Sequence, residues 1–231
     1  MAVPTRALFA SLLAVVLASP AVAVTIDNFE EGAITLLDDS TTLGATFEEQ
    51  SGLDTANVAG GVRLVTATAS GTLEVPGTAS ATLAPLPLVD DSVLLTASLS
   101  GVFSFFYDGI ADGVPQTTDG GLGLVLDGNR FRVDLPAVTG TDAELRVTLW
   151  DSDSISNSLF HDAVTGSVDI LFSEFSGIDF SDIQTIRLSV VEVLNGASLT
   201  ITNFATIPEP GTGLLLATGL LGLAARRRVS R

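Results

Sequence analysis

Cysteine and lysine are absent from this 231-residue chain, and histidine, tyrosine and tryptophan each occur once. Without cysteine there is no disulfide, no thiolate nucleophile and no cysteine-ligated zinc or iron–sulfur centre. Any mechanism that needs an imidazole base has one candidate, His161. Stability must therefore come from packing or from a bound metal ion.

The first 23 residues have the layout of a secretory signal peptide. Arg6 precedes an apolar run over residues 7–18, and Ala21 and Ala23 frame a cleavage site for signal peptidase after Ala23. The run is about 12 residues long, which is short of the roughly 20 that a membrane-spanning helix needs. We therefore predict an N-terminal signal helix that is removed, with an N-terminal anchor as the alternative.

The last 24 residues contain a short motif, an apolar stretch and a basic end. These parts are Pro208, Glu209 and Pro210, then residues 211–225, then Arg226, Arg227 and Arg228. As a helix, the 15 apolar residues would be about 22 Å long, against roughly 30 Å of bilayer hydrocarbon. We predict a short C-terminal hydrophobic helix whose arginines stay at the cytoplasmic side.

This tail resembles the PEP-CTERM sorting signal. The resemblance implies that an exosortase, a membrane-embedded transpeptidase-like cysteine protease, cuts near Pro208, Glu209 and Pro210 and releases or re-attaches the domain. It also implies a Gram-negative bacterium that makes exopolysaccharide. The expected location is the membrane before processing and the cell surface or the outside afterwards, with a plain single-pass tail anchor as the alternative.

Setting aside residues 1–23 and 207–231 leaves residues 24–206, a length that suits a single domain. This part contains five arginines and 26 acidic residues, so its net charge is −21, compared with −17 for the whole chain. Such a charge repels nucleic acid and favours divalent cations. We therefore exclude nucleic acid as a partner.

Short stretches rich in Val, Leu, Ile, Thr and Phe alternate with Gly, Asp, Asn or Pro throughout this domain. The pattern predicts an all-β fold, an antiparallel β-sandwich of the jelly-roll kind. In residues 185–193 the alternation predicts that Ile186, Leu188 and Val190 face the core.

Two dipeptides predict β-hairpins, because Asn-Gly and Asp-Gly favour two-residue turns. Asn195-Gly196 would join residues 185–194 to residues 198–204. Asp127-Gly128 would join residues 124–126 to residues 131–133.

Residues 25–32, 172–183 and 199–203 resemble the opening and closing pattern of galactose-binding-like jelly rolls, a fold of many carbohydrate-binding modules. The resemblance implies that the first and last strands pair and hold a structural calcium ion. It places Asp27, Glu30 and Asn203 at this site, although the family usually has an acid where Asn203 stands.

Two further pairs of residues are candidate sites. Asp151 and Asp153 offer spaced carboxylates for calcium just after a strand, with a solvated turn as the alternative. Trp150 and Tyr107 lie where strands run into acidic loops and could stack on sugar rings, with burial in the core as the alternative.

No G-x-S-x-G elbow, H-E-x-x-H pair or phosphate loop is present, and Ser158 and Asp162 are only sequence neighbours of His161. We therefore predict no catalytic residues, no certain cofactor and calcium as the candidate metal. The predicted function is that of a non-enzymatic exported protein that associates with exopolysaccharide in a biofilm matrix. A secreted hydrolase of matrix polysaccharide and a purely structural surface protein are the alternatives.

Overall fold

A computed structural model of the chain describes residues 23–39, 45–70, 78–84, 92–97, 100–114, 120–140, 143–194 and 198–208. The predicted signal helix and the predicted C-terminal helix lie outside these residues. Among the described residues, no helix is long and apolar enough to cross a membrane. Ala23–Ile207 form one compact unit.

Short strands dominate the described part of the chain. They are β1 (Thr25–Asp27), β2 (Ile34–Asp38), β3 (Thr46–Ser51), β4 (Val62–Ser70), β5 (Ala79–Ala84), β6 (Ser92–Ala97), β7 (Ser100–Tyr107), β8 (Gly128–Leu135), β9 (Ala137–Thr139), β10 (Glu144–Asp151), β11 (Ser156–Asp162), β12 (Gly166–Leu171), β13 (Ile183–Leu194), β14 (Ser198–Ile201) and β15 (Asn203–Pro208). Two 3₁₀ turns cover Ala59–Gly61 and Phe172–Glu174. In β2 and β6, buried residues alternate with less buried ones, as expected for strands with one face in a core.

The strands form three sheets. One sheet has six strands in the order β11-β10-β13-β7-β4-β3, one has five in the order β2-β5-β6-β14-β9, and one has four in the order β1-β15-β8-β12. The two smaller sheets are continuous along the chain, because β8 leads into β9 past Pro136 and β14 leads into β15 past Thr202. The predicted antiparallel β-sandwich is therefore confirmed.

One hydrophobic core is shared by the three sheets. The six-stranded sheet contributes Phe105 and Leu188, and the smaller sheets contribute Leu95 and Phe131, all fully buried. Burying an aliphatic or aromatic side chain of this size contributes about 1.5–3 kcal/mol. With no disulfide in the chain, this core is the main source of stability.

The core face predicted for β13 is confirmed, but the hairpin predicted after it is wrong. Ile186, Leu188 and Val190 are fully buried. However, β13 lies between β10 and β7, while β14 pairs with β6 and β9 in the five-stranded sheet. The chain changes sheets here because both edges of β13 already have partners.

The hairpin predicted around Asp127-Gly128 is also wrong. β8 pairs with β12 and β15. The residues before the turn lie instead beside the start of β13, where Leu124 and Ile183 exchange two backbone hydrogen bonds of 2.9 and 2.8 Å. Asp127-Gly128 therefore lies in a connection between two sheets and not in a β-hairpin.

The two ends of the domain meet, as the resemblance to galactose-binding-like jelly rolls implies. Thr25 in β1 lies opposite Ala205 in β15. The Val24 N–H donates to the Thr206 hydroxyl at 2.9 Å, and the Thr206 N–H donates to the Val24 carbonyl at 2.8 Å. The predicted pairing of the first and last strands is confirmed.

Candidate ligand-binding face

The side of the six-stranded sheet that faces away from the core carries two rows of side chains, because opposite residues in antiparallel strands point to the same side. One row is Ser158, Thr148, Arg187, Phe106, Leu64 and Glu49, and the other is Phe160, Arg146, Ser189, Ser104, Thr66 and Phe47. We call these residues, together with Trp150 two positions beyond Thr148, the outer face. Leu64, Phe106 and Trp150 are buried, but they are separate from the core cluster.

Arg146 and Arg187 are neighbours on the outer face. Arg146 lies opposite Ser189 and Arg187 lies opposite Thr148, so the two arginines are diagonal neighbours on β10 and β13. Diagonal pairs are separated by about 7–8 Å, which long side chains bridge. Arg187 Nη2 donates to Thr148 Oγ1 at 3.1 Å, and Arg146 Nη2 donates to Ser158 Oγ at 3.3 Å.

Three aromatic rings lie against the two guanidinium groups. Arg146 Cζ is 5.0 Å from the centroid of the Phe160 ring, and Arg187 Cζ is 5.5 Å from that of Phe106 and 5.3 Å from that of Trp150. Each such contact contributes about 0.5–1 kcal/mol at an exposed site and about 2 kcal/mol when it is desolvated. The rings hold the arginine side chains in place and leave their charge unneutralised.

No carboxylate forms an ion pair with either arginine among the described residues. The ion pairs there are Arg63 with Asp27, Arg130 and Arg132 with Asp169, and His161 with Glu174. The Nε atoms of Arg146 and Arg187 are buried and have no hydrogen-bond partner. Burial, and after it the charge of Arg146, lowers the pKa of Arg187.

Two pairs of hydroxyl groups flank the arginines on the outer face, one on β10 and β11 and one on β13 and β7. Ser104 Oγ and Ser189 Oγ are 2.8 Å apart, and Thr148 Oγ1 and Ser158 Oγ are 2.9 Å apart. Ser104, Ser189 and Thr148 are buried, so Ser158 is the one hydroxyl of these two pairs that is partly exposed to a ligand. At the two edge strands, Phe160 is 52% exposed and Phe47 is 61% exposed. The outer face thus combines a polar floor, two cations and an exposed ring at each edge.

The two residues predicted to stack on sugar rings lie inside the protein. Tyr107 is fully buried on the core side of β7, with its ring near Phe204, so the stacking role predicted for it is wrong. Trp150 belongs to the outer face, but it is only 9% exposed and Arg187 lies over its ring. Trp150 therefore supports Arg187 and offers no platform of its own.

Asp27, predicted as a calcium ligand, forms a buried ion pair instead. Its Oδ2 accepts hydrogen bonds from Arg63 Nη1 at 2.7 Å and from the Tyr107 hydroxyl at 2.9 Å, and its Oδ1 accepts one from the Phe29 N–H at 2.8 Å. Arg63 and Asp27 are both completely buried. The guanidinium supplies the positive charge beside this carboxylate, so a calcium ion does not fit here.

Burial shifts the pKa of both acids in this cluster. Desolvation raises the pKa of Asp27, and the charge and hydrogen bond of Arg63 oppose that effect. Desolvation, followed by the negative charge of Asp27, raises the pKa of Tyr107 well above its usual value. The hydroxyl of Tyr107 therefore stays protonated and remains a donor to Asp27.

The other predicted calcium ligands do not converge either. Glu30 is exposed, and Asn203 Nδ2 donates to Asp134 Oδ2 at 3.0 Å. Asp151 is buried, and its carboxylate accepts the backbone N–H groups of Asp153 and Ile155 at 3.1 and 3.0 Å and of Asp179 at 3.0 Å. In the part of the chain that the structure describes, no group of three or more acids or histidines could hold a metal ion.

The imidazole of His161 lies next to a carboxylate and away from the neighbouring serine. Its Nε2 lies 3.1 Å from Glu174 Oε2. Ser158 is three residues away on the same strand, so its side chain points to the opposite side of β11. Ser158 and His161 therefore form no nucleophile and base pair.

The sequence did not predict Arg63, Arg146 or Arg187 as site residues. Each arginine interrupts an apolar stretch within a strand, as in Leu145-Arg146-Val147 and Ile186-Arg187-Leu188. This placement could have identified them, because a charged side chain in an apolar strand must either point away from the core or be paired within it.

Pro208 ends β15, and Ala23 is exposed just before β1. Ala21, Glu209, Pro210, Arg226, Arg227 and Arg228 lie outside the described residues. Residues 206–228 match the PEP-CTERM protein-sorting motif. The chain therefore carries the sorting tail that the sequence predicted, and the PEP-CTERM tail indicates export with a membrane anchor before processing.

Several solved structures are similar to this chain at low TM-scores. A family 11 carbohydrate-binding module from Clostridium thermocellum, solved with a mixed-linked tetrasaccharide, is 13% identical, with 77% of this chain and 98% of that chain covered and a TM-score of 0.32. The module TmCBM61, solved with β-1,4-galactotriose, is 14% identical, with 72% and 90% covered and a TM-score of 0.32. At these scores the likeness transfers no binding site to this chain. Among curated proteins, none matches.

Proposed function

We propose that this protein is exported, sorted to the cell surface by its PEP-CTERM tail, and binds extracellular polysaccharide through the outer face without catalysing a reaction. The observation that carries the proposal is the composition of that face. A polysaccharide offers hydroxyl groups, ring oxygens and apolar ring faces, and the outer face presents two half-buried guanidinium groups, the half-buried hydroxyls of Ser158 and Thr66, and the exposed rings of Phe160 and Phe47.

The size and shape of the outer face suit an extended chain. Six strands at about 4.8 Å spacing give a width of roughly 24 Å from β11 to β3. The exposed rings of Phe160 and Phe47 stand at the two ends of one row, with Arg146, Ser189 and Ser104 between them. An extended glycan lying along this row would reach from Phe160 past Arg146 and Thr66 to Phe47.

Two observations support binding rather than hydrolysis. Ser158 and His161 point to opposite sides of β11, and the outer face itself carries a single carboxylate, Glu49, whose side chain accepts a hydrogen bond from the Gly113 N–H. Hydrolysis of a glycosidic bond uses a pair of carboxyl groups flanking the bond. Glu144 and Asp162, which lie opposite each other on β10 and β11 two residues beyond Arg146 and Phe160, are the pair that the hydrolase alternative would have to use.

The binding proposal is tested with the full chain and a panel of neutral and acidic polysaccharides in a co-sedimentation assay. We expect at least one polysaccharide to retain the protein. Phe160→Ala should weaken that binding about fivefold. Burying the Phe160 ring against the ligand should contribute roughly 1 kcal/mol to the binding free energy, and losing it raises the dissociation constant by that factor. Leu37→Ala is the matched control, since Leu37 is 58% exposed on β2 in the other layer. Equal effects of the two variants would count against the outer face.

Processing at the tail is a separate part of the proposal. We expect an exosortase to cut near Pro208, Glu209 and Pro210 while the tail resides in the membrane. Replacing these three residues with alanine should leave the uncut chain in the membrane fraction. Release of a shortened domain from that variant would remove this motif as the processing site.

A further inference from the structure

The arginines of the domain fall into two groups. Arg63, Arg130 and Arg132 each have a carboxylate partner. Arg146 and Arg187 have none among the described residues, although the domain contains 26 acids. The two arginines without a carboxylate are the two that lie side by side on the outer face.

This arrangement opposes folding. Two positive groups at diagonal positions repel each other. A buried donor without a partner destabilises the fold, and both Nε atoms are in that position, as is the Nε of Arg130 on β8. The cation–π contacts with Phe160, Phe106 and Trp150 recover part of this cost and supply no acceptor. An anion beside the guanidinium groups would supply the missing negative charge.

We propose that Arg146 and Arg187 bind the carboxylate of an acidic polysaccharide, one that contains uronic acid units. The inference rests on the proposed function and specifies its ligand. A guanidinium group donates two parallel hydrogen bonds to a carboxylate. A neutral sugar has no carboxylate and cannot accept this pair of hydrogen bonds. The partly exposed hydroxyl of Ser158, which accepts a hydrogen bond from Arg146 Nη2, lies beside this site and would contact a sugar hydroxyl.

Three acids lie on the same side of the sheet as the arginines, Glu49 within the outer face and Glu144 and Asp162 beyond its second row, and none of them forms an ion pair with Arg146 or Arg187. Glu144 and Asp162 lie opposite each other, two residues along β10 and β11 from Arg146 and Phe160, and neither forms an ion pair with the arginines. Glu49 stands on β3, four strands from β10. The acidic domain surface repels a polyanion at long range, but this repulsion is screened beyond about 8 Å at physiological salt. Binding is therefore best measured at that ionic strength.

The test compares polygalacturonate with its fully methyl-esterified form, which keeps the backbone and removes the charge. The full chain in a non-ionic detergent should bind polygalacturonate at least tenfold more tightly than the ester. Arg146→Gln and Arg187→Gln should each weaken binding to polygalacturonate tenfold or more. Arg187→Lys should weaken it at least threefold, because lysine keeps the positive charge but lacks the paired N–H donors of the guanidinium group.

Arg132→Gln is the matched control, because it removes the same charge from the smaller four-stranded sheet. It should change binding less than twofold. The fluorescence of the single tryptophan and the melting temperature report whether each variant is folded, and Arg187→Lys provides a second variant if Arg187→Gln does not fold.

The possible outcomes separate the inference from the proposed function. Equal binding of both polymers, with no effect of the arginine variants, would overturn the inference and leave polysaccharide binding intact. Binding of no polysaccharide at all would overturn the proposed function and the inference with it. Equal binding of polyglutamate and polygalacturonate would show recognition of charge alone and would also overturn the proposed glycan ligand.

Discussion

Replacing Arg63 with methionine should destabilise the domain more than any other arginine substitution. Arg63 is fully buried and joins three segments of the chain. Its Nη1 donates to Asp27 at 2.7 Å, its Nη2 donates to the Glu31 carbonyl at 2.5 Å and to Gln50 Oε1 at 2.6 Å, and its Nε donates to Gln50 Oε1 at 3.1 Å. Methionine keeps the apolar volume and removes all of these donors.

The magnitude follows from what the substitution leaves behind. Asp27 would remain buried without its counter-charge, and breaking a buried ion pair from one side costs about 3–5 kcal/mol. With a urea m-value of about 2 kcal/mol/M, the unfolding midpoint should fall by roughly 1.5–2.5 M. The fluorescence of the single tryptophan reports this transition in the full chain.

Arg132→Met is the control. The Arg132 side chain is 35% exposed and pairs with Asp169 at 2.8 Å, so its loss should cost at most about 1 kcal/mol. The double variant Asp27→Leu with Arg63→Met should be more stable than the sum of the single effects predicts, because it removes both charges. A shift for Arg63→Met no larger than that for Arg132→Met would refute this account of the cluster.

Two other predictions concern backbone space and pH. Gly60 has φ +72° and a Cβ added there would lie 2.9 Å from Gly109 Cα, whereas Gly52 has φ +73° and open space around it. Gly52→Ala should cost about 1–2 kcal/mol for the left-handed backbone, and Gly60→Ala at least about 1 kcal/mol more in the same urea unfolding assay; equal losses would contradict the predicted clash. Because the pKa of Tyr107 is raised in the folded state, the stability it contributes is fully present below pH 10 and is lost as the pH rises above about 10, where the unfolded tyrosine ionises first. A tyrosinate absorbance signal from this single tyrosine should appear only together with unfolding, and its appearance in the folded protein near pH 10 would contradict the burial.

The sequence predicted the fold class correctly because β-strand alternation is a local property. Ile186, Leu188 and Val190 could be assigned to the core from their spacing alone. Strand pairing was harder to predict. The turn residues Asn195-Gly196 suggest a hairpin, but which edge β14 joins depends on β10 and β7, which occupy both sides of β13.

The candidate site was predicted poorly because its residues are brought together by register between distant strands. Arg146 and Arg187 are separated by 41 positions in sequence, and nothing local shows that they become neighbours. The stacking role given to Tyr107 failed for a related reason, since a tyrosine at a strand end can point either way. Its partner Asp27 lies 80 positions away.

The calcium site implied by the resemblance shows how one distant residue changes the chemistry of a position. Asp27 has the residue type that such a site needs, and it lies on the first strand as the resemblance requires. Arg63 on β4 places a cation beside it, so the carboxylate completes an internal ion pair. Addition of calcium should therefore leave the Asp27 cluster unchanged.

The side-chain Nε–H resonances of the arginines in a two-dimensional ¹H–¹⁵N spectrum test the binding claim most directly. The domain contributes five arginines, so assignment by single substitutions is practical. On addition of polygalacturonate, the Nε–H signals of Arg146 and Arg187 should shift strongly, because each guanidinium group gains a carboxylate partner, while the signal of Arg63 should stay in place. Shifts confined to Arg130 and Arg132, or no shift at Arg146 and Arg187 under saturating polymer, would contradict the account.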